Sequence, residues 1–499
     1  MNPAERYGGM TSMFGFALSG LQEFLYDVSD DQIHRRRSDL NAAKRLRIRS
    51  AILTLTPALV AHEILKFDNT AQPVFLGGGK LLMFASNYAA RAIEPKLWEL
   101  YDWLVQASDG KLGAYWAATS EEAPSSEGIK KLINALACAK WRAGKPGDWV
   151  GSSGRVHDRL PETLGNADWE GSQGGDFVRR VNLAGFSVGV EGWQLGPWTV
   201  CPSTQTYCDI GLQSSAHAPI RVSIPLHVPK DVDGSVAELF KLAEEGMGAS
   251  YLALLKLDGD GIGGRMSDAL NADADFGAYR ATSAEMSAFF GEFLLNFLEE
   301  KFPRIYLVYS GGDDLVATGH FSLILQAAAA IRREYRAQNL GTISAGVSFY
   351  TRNSPILKAV EAADYELASA KTVKNAICIA GCRTTWDELD RTIQETEALV
   401  EAIDSQHINR GVLQLLRQLG DPWLAGALPE VANLKWRSMP MLHYMRSRRE
   451  WPEDQWGTEL RAFFNQLSSP ELSYEEVWSR AALVGTLAGW KTKKGEDTK

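Results

Sequence analysis

Gly311-Gly312-Asp313-Asp314 sets two adjacent carboxylates at a glycine turn between apolar runs, and Asp258 closes another apolar run, Tyr251 to Leu257. Carboxylate oxygens from two elements, open on one side, suit Mg2+ or Mn2+ that also holds a triphosphate. Two such ions activate a hydroxyl nucleophile and stabilise a leaving pyrophosphate. The expected chemistry is metal-dependent nucleotidyl transfer, with Asp258, Asp313 and Asp314 as catalytic residues and metal ligands. Gly311 and Gly312 permit positive φ and leave no Cβ in the way of a nucleotide. Gly259, Gly261, Gly263 and Gly264 let phosphates approach backbone N–H groups. Lys371 and Lys374 lie past a helix, where a flexible cation meets β- and γ-phosphates.

These residues need a scaffold. The continuous apolar run Tyr251–Leu257 predicts a strand buried on both faces, and ligands gather at the C-terminal ends of such strands. A helix is expected over 282–301, strands over 305–309 and 315–317 around the glycine turn, and a helix over 320–337. A strand over 342–350, a helix over 355–371 and a strand over 376–380 follow. The order β-α-β-β-α-β is ferredoxin-like. The first half echoes it. Residues 13–26 read as a strand, a Ser19-Gly20 turn and a helix start; a helix covers 38–65, and Pro73–Ala85 forms a hairpin through Gly77-Gly78-Gly79-Lys80. Helices are expected over 87–108 and 127–142. The fold class is α/β (α+β): two related ferredoxin-like units at 1–145 and 246–385, a loop- and β-rich insert at 146–245, and a helical domain at 386–499.

The chain has 499 residues and a formal net charge of −9, which argues against nucleic-acid binding by the whole surface. Two local basic clusters stand out: His34–Arg37 with Lys44, Arg45, Arg47 and Arg49, and Lys435, Arg437, Arg446, Arg448 and Arg449. Each is either a solvated helix face or a surface for RNA or an acidic neighbour. No apolar run of membrane length is present and the N-terminus lacks signal-peptide features, so a cytoplasmic protein without membrane contact is expected. Five cysteines argue against a disulfide framework. Cys201 and Cys208 with His217 and His227 make a zinc site possible on paper, but the spacing is wider than a usual knuckle and reduced, structurally neutral thiols are preferred. His157-Asp158 stands alone in a Gly-rich stretch and reads as loop rather than as a metal pair.

Together, Leu257-Asp-Gly-Asp-Gly-Ile-Gly263, Tyr309-Ser-Gly-Gly-Asp-Asp314, Ser344-Ala-Gly346 and Ala370-Lys371 with Lys374-Asn375 resemble the second Palm domain of the large subunit of type III CRISPR effector complexes. Leu18-Ser-Gly-Leu-Gln-Glu-Phe24, the Lys44–Ser50 segment and Phe75-Leu-Gly-Gly-Gly-Lys80 resemble that family's first Palm domain. The resemblance implies conversion of ATP into cyclic oligoadenylates on target-RNA binding. It implies partners in the other effector subunits, crRNA and target RNA. It also implies a nucleotide-binding set made of Ser19, Gly20, Gly78, Gly79, Gly259, Gly263, Gly311, Gly312, Ser344, Gly346, Lys371 and Lys374. The family often starts with an HD nuclease domain; this chain begins at the first Palm domain, so no HD-dependent DNase activity is expected. Ala17 stands where an acidic residue is usual, which makes the first Palm a nucleotide-holding partner. The zinc ligands look degenerate. The competing readings are a different adenylyl product, a GGDEF-like cyclase (disfavoured by Asp314-Leu315) and a non-catalytic scaffold.

Overall fold

The computed structural model describes residues 11–26, 42–108, 110–121, 126–143, short strands between 180 and 223, 227–232, 237, 239–246, 248–272, 277–351, 354–419, 455–467 and 479–493. Along the chain run β1 (Thr11–Ser19), α1 (Leu21–Tyr26), α2 (Ala42–Phe67), β2 (Gln72–Gly77), β3 (Lys80–Ser86), α3 (Asn87–Ala92), α4 (Glu94–Ala107), β4 (Gly113–Glu121) and α5 (Ser126–Ala143). Six short strands, β5–β10, follow between Arg180 and Ser223. Next come α6 (Leu239–Glu245), β11 (Tyr251–Gly259), α7 (Ile262–Ala272), α8 (Gly277–Ser287), a π-helical turn (Ala288–Phe293), α9 (Leu294–Lys301), β12 (Tyr306–Gly311) and β13 (Asp314–His320). The rest is α10 (Phe321–Ala337), β14 (Ile343–Thr351), α11 (Ile356–Lys371), β15 (Ala376–Ile379), β16 (Cys382–Thr385), α12 (Trp386–Asp404), α13 (Gly411–Leu419), α14 (Gln455–Leu467) and α15 (Ser479–Lys491).

The first sheet has the order β2-β3-β1-β4 and is antiparallel throughout. The large sheet has the order β12-β13-β11-β14-β15-β16. In both, the four core strands lie second, third, first, fourth. That is the ferredoxin-like arrangement, and its appearance twice bears out the internal duplication. β15 joins β14 in parallel and β16 turns back antiparallel. The strands β5–β10 form an antiparallel meander in which each pairs only with its sequence neighbours.

Three elements differ from expectation. Gly113–Glu121, to which the sequence assigned no element, is a strand: its nine residues pair with Thr11–Ser19. The helix expected over 87–108 is two helices, because Pro95 near the start of α4 has no N–H to continue the earlier one. The glycines after Gly261 do not form an open loop, since Gly263 and Gly264 sit in the first turn of α7.

The chain forms two compact units, one from Met1–Glu238 and Gly261–Val316, the other from Leu239–Asp260 and Ala317–Lys499. In the first, Met13, Val74, Leu82 and Phe84 from the small sheet pack with Ile129 and Leu132 of α5 and with Leu270 and Tyr279 of α7 and α8. In the second, α10 and α11 pack on the sheet. Ala398, Leu399, Leu413, Leu416, Phe463, Phe464, Val484 and Ala488 close a helical core between α12, α13, α14 and α15. Burial of these apolar side chains is the main term holding each unit together. The fourfold division at 145, 245 and 385 is a different partition, drawn on sequence, and we keep it as a proposal.

Candidate functional site

In the first unit two glycine hairpin tips meet. Gly78 and Gly79, between β2 and β3, have φ of 57° and 73°, the two positive values of a type I′ turn. Between β12 and β13 only Gly312 is positive, at 68°, as in a type II′ turn, which leaves Asp313 in an ordinary conformation. A Cβ on Gly77 would lie 3.8 Å from the Gly312 amide nitrogen, and one on Gly311 would lie 3.7 Å from that of Gly78. The Tyr309 hydroxyl sits at the same place, 3.5 Å from a Cβ on Gly78 and 3.4 Å from one on Gly311. Glycine at these positions therefore keeps two backbones and a phenol close together, with Asp313 and Asp314 half-buried beside them.

Burial, with the charges of Asp314 and then Asp313, pushes the Tyr309 hydroxyl well above its usual range, so it stays protonated. β12 is anchored from behind: Ser310 Oγ donates to the Phe290 carbonyl at 2.5 Å, within the π-helical turn. On the first sheet the Leu18 amide donates to the Gly79 carbonyl at 2.9 Å. A Cβ on Gly20, where φ is 75°, would lie 1.8 Å from the Lys111 carbonyl oxygen. Gly20 is thus required by the chain itself at that crossing. Ser19 is half-buried at the end of β1.

The N-terminal turn of α7 offers backbone N–H groups that have no partner within the helix. Added Cβ atoms on Gly263 and Gly264 would meet nothing within 4 Å. The glycine spacing thus runs into the first turn of a helix, with open space beside Gly263 and Gly264.

In the second unit Asp258, one residue before the end of β11, forms an ion pair with Lys371 at the end of α11. Asp260, which sequence reasoning left without a role, is the knot below it. Its carboxylate accepts from Ser344 Oγ at 2.7 Å and from the Asn375 amide at 2.8 Å. Lys374 and Asn375 are both in the left-handed region, with φ of 60° and 46°, so Asp260 fixes an unusual corner that carries Lys371 and Lys374. The signal was present: Asp260 is the second acid of Leu257-Asp-Gly-Asp-Gly. Ser344 is buried and spent on Asp260. Gly346 serves packing, since a Cβ there would lie 2.2 Å from the Ala363 carbonyl oxygen of α11. Gly259 is buried at the end of β11.

Among the described residues no three His, Cys, Asp or Glu side chains gather into a ready-made metal cage. The donors present still fit Mg2+ or Mn2+, which are usually held by one or two carboxylates plus substrate phosphates rather than by protein alone. Lys371 on Asp258 and the acid-rich surroundings of the Tyr309 hydroxyl are both places where a positive charge is favoured. Of the proposed zinc set, Cys201 and Cys208 lie on paired strands, with Cys201 opposite Asp209 and Cys208 opposite Pro202. His227 is buried and its pKa is pushed down to about 4 by that burial. His217, the His157-Asp158 pair, His34–Arg37 and Lys435–Arg449 lie outside the described residues. Arg49 is not a phosphate-facing cation: it is buried, donates to the Phe24 carbonyl at 2.9 Å and lies over the Phe24 ring.

The family model for the Csm1 subunit domain B matches residues 10–136, and that for the Cas10/Cmr2 second palm domain matches residues 251–378. Over these two stretches the chain is similar to the Cas10/Csm1 large subunit of type III-A CRISPR systems. It is 29% identical over 185 residues to the single-strand-specific deoxyribonuclease Cas10/Csm1 (subtype III-A) of Methanocaldococcus jannaschii, covering 32% of this chain and 23% of that one. With the Thermococcus onnurineus protein of the same description it shares 25% over 438 residues, 73% of this chain and 54% of that one. The chain therefore spans about half or less of the length of these curated relatives. Its fold is similar to that of a Csm1-Csm4 cassette in complex with one ATP (TM-score 0.64, 20% identity, 96% of this chain and 70% of that one). It is also similar to a cassette in complex with cA4 (TM-score 0.62, 17% identity, 98% and 71%).

Proposed function

We propose that this chain is a Cas10/Csm1-type large subunit of a crRNA-guided, cytoplasmic type III effector complex and converts ATP to cyclic oligoadenylates when target RNA binds. The observation that carries the reading is the meeting of the Gly77–Gly79 tip with the Tyr309–Gly312 tip, beside Asp313 and Asp314. One glycine hairpin comes from each ferredoxin-like repeat, as a site for two nucleotides side by side requires. Structures of similar fold are described as Csm1-Csm4 cassettes with ATP, pppApA, cA3 and cA4, which supports an adenylate product and a Csm4-type partner.

In the reaction a ribose hydroxyl of one ATP attacks the α-phosphorus of another; the new P–O bond forms as pyrophosphate leaves with its electron pair. Asp258, Asp313 and Asp314 would hold two Mg2+ or Mn2+ ions, whose contribution is to lower the hydroxyl pKa and neutralise pyrophosphate. The glycine tips admit the nucleotides without steric obstruction. The α7 N-terminus with Gly263 and Gly264 presents N–H groups to phosphate. Lys371 and Lys374 offer cations to the β- and γ-phosphates from the corner that Asp260 fixes. Gly20, Ser344 and Gly346 take part by holding backbone and acid in place.

ATP conversion by the isolated chain, by the assembled complex and by the complex with complementary RNA, with products read by mass spectrometry, tests the proposal. Target RNA should raise turnover at least tenfold. Asp313→Ala/Asp314→Ala should lower it by orders of magnitude at unchanged circular dichroism. Near-normal turnover in that variant removes the catalytic assignment, and equal rates in all three preparations remove the RNA control. A linear or mixed adenylyl product would move the reading to the rival nucleotidyl transferase.

A further inference from the structure

In the second unit, away from the Asp258 end of β11, an open cavity of about 420 Å3 is lined by Tyr251, Arg410, Arg417, Gly489, Trp490 and Lys493. Three of these are cationic, on a chain whose formal net charge is −9. Arg410 and Arg417 are seven residues apart, so they share one face of the segment running through α13. Lys493 follows α15.

The ion pairs of the helices nearby use their acids on other cations: Glu397 pairs with Lys491 and Glu395 with Arg480. Among the described residues no carboxylate pairs with Arg410, Arg417 or Lys493. Arg417 is held in place: its guanidinium donates to the Thr486 carbonyl at 3.4 Å, while its buried Nε has no hydrogen-bond partner. A Cβ on Gly489 would lie 2.0 Å from Arg417 Nη2, so this glycine is what makes room for the guanidinium. Burial first, and then the like charge of the neighbouring Arg410, press the Arg417 pKa below its ordinary value. Trp490 and Tyr251, whose ring centroids are 4.6 Å apart, form an apolar wall.

We propose that this cavity is a binding site for a phosphate-bearing anion of small-molecule size, carried either as free polyphosphate or on a nucleotide. Like charges gathered around a cavity with no acid between them are stabilised by an anion. Guanidinium groups match phosphate oxygens in geometry as well as in charge. The volume falls in the range of small-molecule sites and exceeds what one orthophosphate needs.

The test is isothermal titration calorimetry of the full chain in EDTA with orthophosphate, pyrophosphate and ATP. Removing divalent ions weakens polyphosphate binding at the proposed nucleotidyl-transfer centre, and the Arg410/Lys493 variant assigns the remaining binding to the cavity. Pyrophosphate and ATP should each bind at one site. Arg410→Gln/Lys493→Gln should weaken binding at least tenfold, and Asp313→Ala/Asp314→Ala should leave it unchanged. Gly489→Ala keeps all three charges but displaces Arg417, and should weaken binding too. Tighter binding of ATP than of pyrophosphate would identify a nucleotide as the carrier; equal binding would identify free polyphosphate. No binding by the wild-type chain, wild-type affinity in the Arg410/Lys493 variant, or loss of binding in the Asp313/Asp314 variant would each overturn the assignment.

Discussion

Gly263 and Gly346 look alike in sequence, each a small residue in a motif that suggests a nucleotide. Their surroundings separate them. Gly346 faces the α11 backbone, and main chain cannot move aside as a side-chain tip does. Gly346→Ala should destabilise the second unit by about 1–3 kcal/mol or more, as overpacking does, and a urea unfolding curve would show it as a lower midpoint. Gly263→Ala has open space and helical backbone, so its midpoint should hold or rise while ATP turnover falls. Wild-type turnover in Gly263→Ala would remove that residue from the phosphate surface. At this scale the sequence singles out Asp258, Asp313 and Asp314 as candidates by chemical type. It missed Tyr309 and Asp260, because a phenol between two hairpins and a carboxylate tying a distant corner are facts of tertiary proximity.

Elements were legible wherever one periodicity ran long enough. β11, α10, β14 and α11 follow from their apolar patterns. β4 did not, because Gly-Ala-Tyr-Trp-Ala-Ala-Thr-Ser-Glu mixes small and aromatic residues without clear alternation and owes its form to pairing with β1. β16 is four residues long and is defined by β15. Its end is marked by a capping box, in which Thr385 accepts from the Glu388 amide and Glu388 accepts from that of Thr385. α12 also carries a buried acid. Glu395 lies 3.5 Å from Arg480, yet burial outweighs that charge and raises its pKa from 4.5 to about 7. The folded state therefore binds this proton more tightly than the unfolded one. Its contribution is complete below pH 4.5 and is lost as pH rises to about 7, amounting to about 3 kcal/mol. Glu395→Gln should flatten that part of the stability profile, measured as melting temperature between pH 5 and pH 8. Parallel profiles for the two proteins would mean that another group titrates there.

At the scale of the whole chain, sheet order revealed the repeat more clearly than sequence did, since only the glycine hairpins and the leading strands survive as a readable echo. No helix among the described residues is long and apolar enough to cross a membrane. The first repeat is also less self-sufficient than its sequence boundary at 145 implies. Leu270 and Tyr279 complete the core of Met13, Val74, Leu82 and Phe84. A fragment ending at residue 145 should bind a hydrophobic dye and aggregate, whereas the full chain should give a cooperative melt of this core. A soluble, cooperatively melting 1–145 fragment would show that α7 and α8 are dispensable to that core.

The alternation of the two units along the chain has a consequence for synthesis. As the polypeptide leaves the ribosome, its leading part cannot close its core until residues near 280 have emerged. β11, already made by then, has both edges unpaired until β13 is translated, and the edge that takes β14 stays open until about ninety residues later, as Tyr251 pairs with Thr351 and Gly259 with Ile343. The β5–β10 meander has no such delay, because every strand finds its partner in the next one. A nascent chain of this protein should therefore present one early-folding island between two late ones, and the exposed strand Tyr251–Leu257 is where a holding chaperone would be expected to bind.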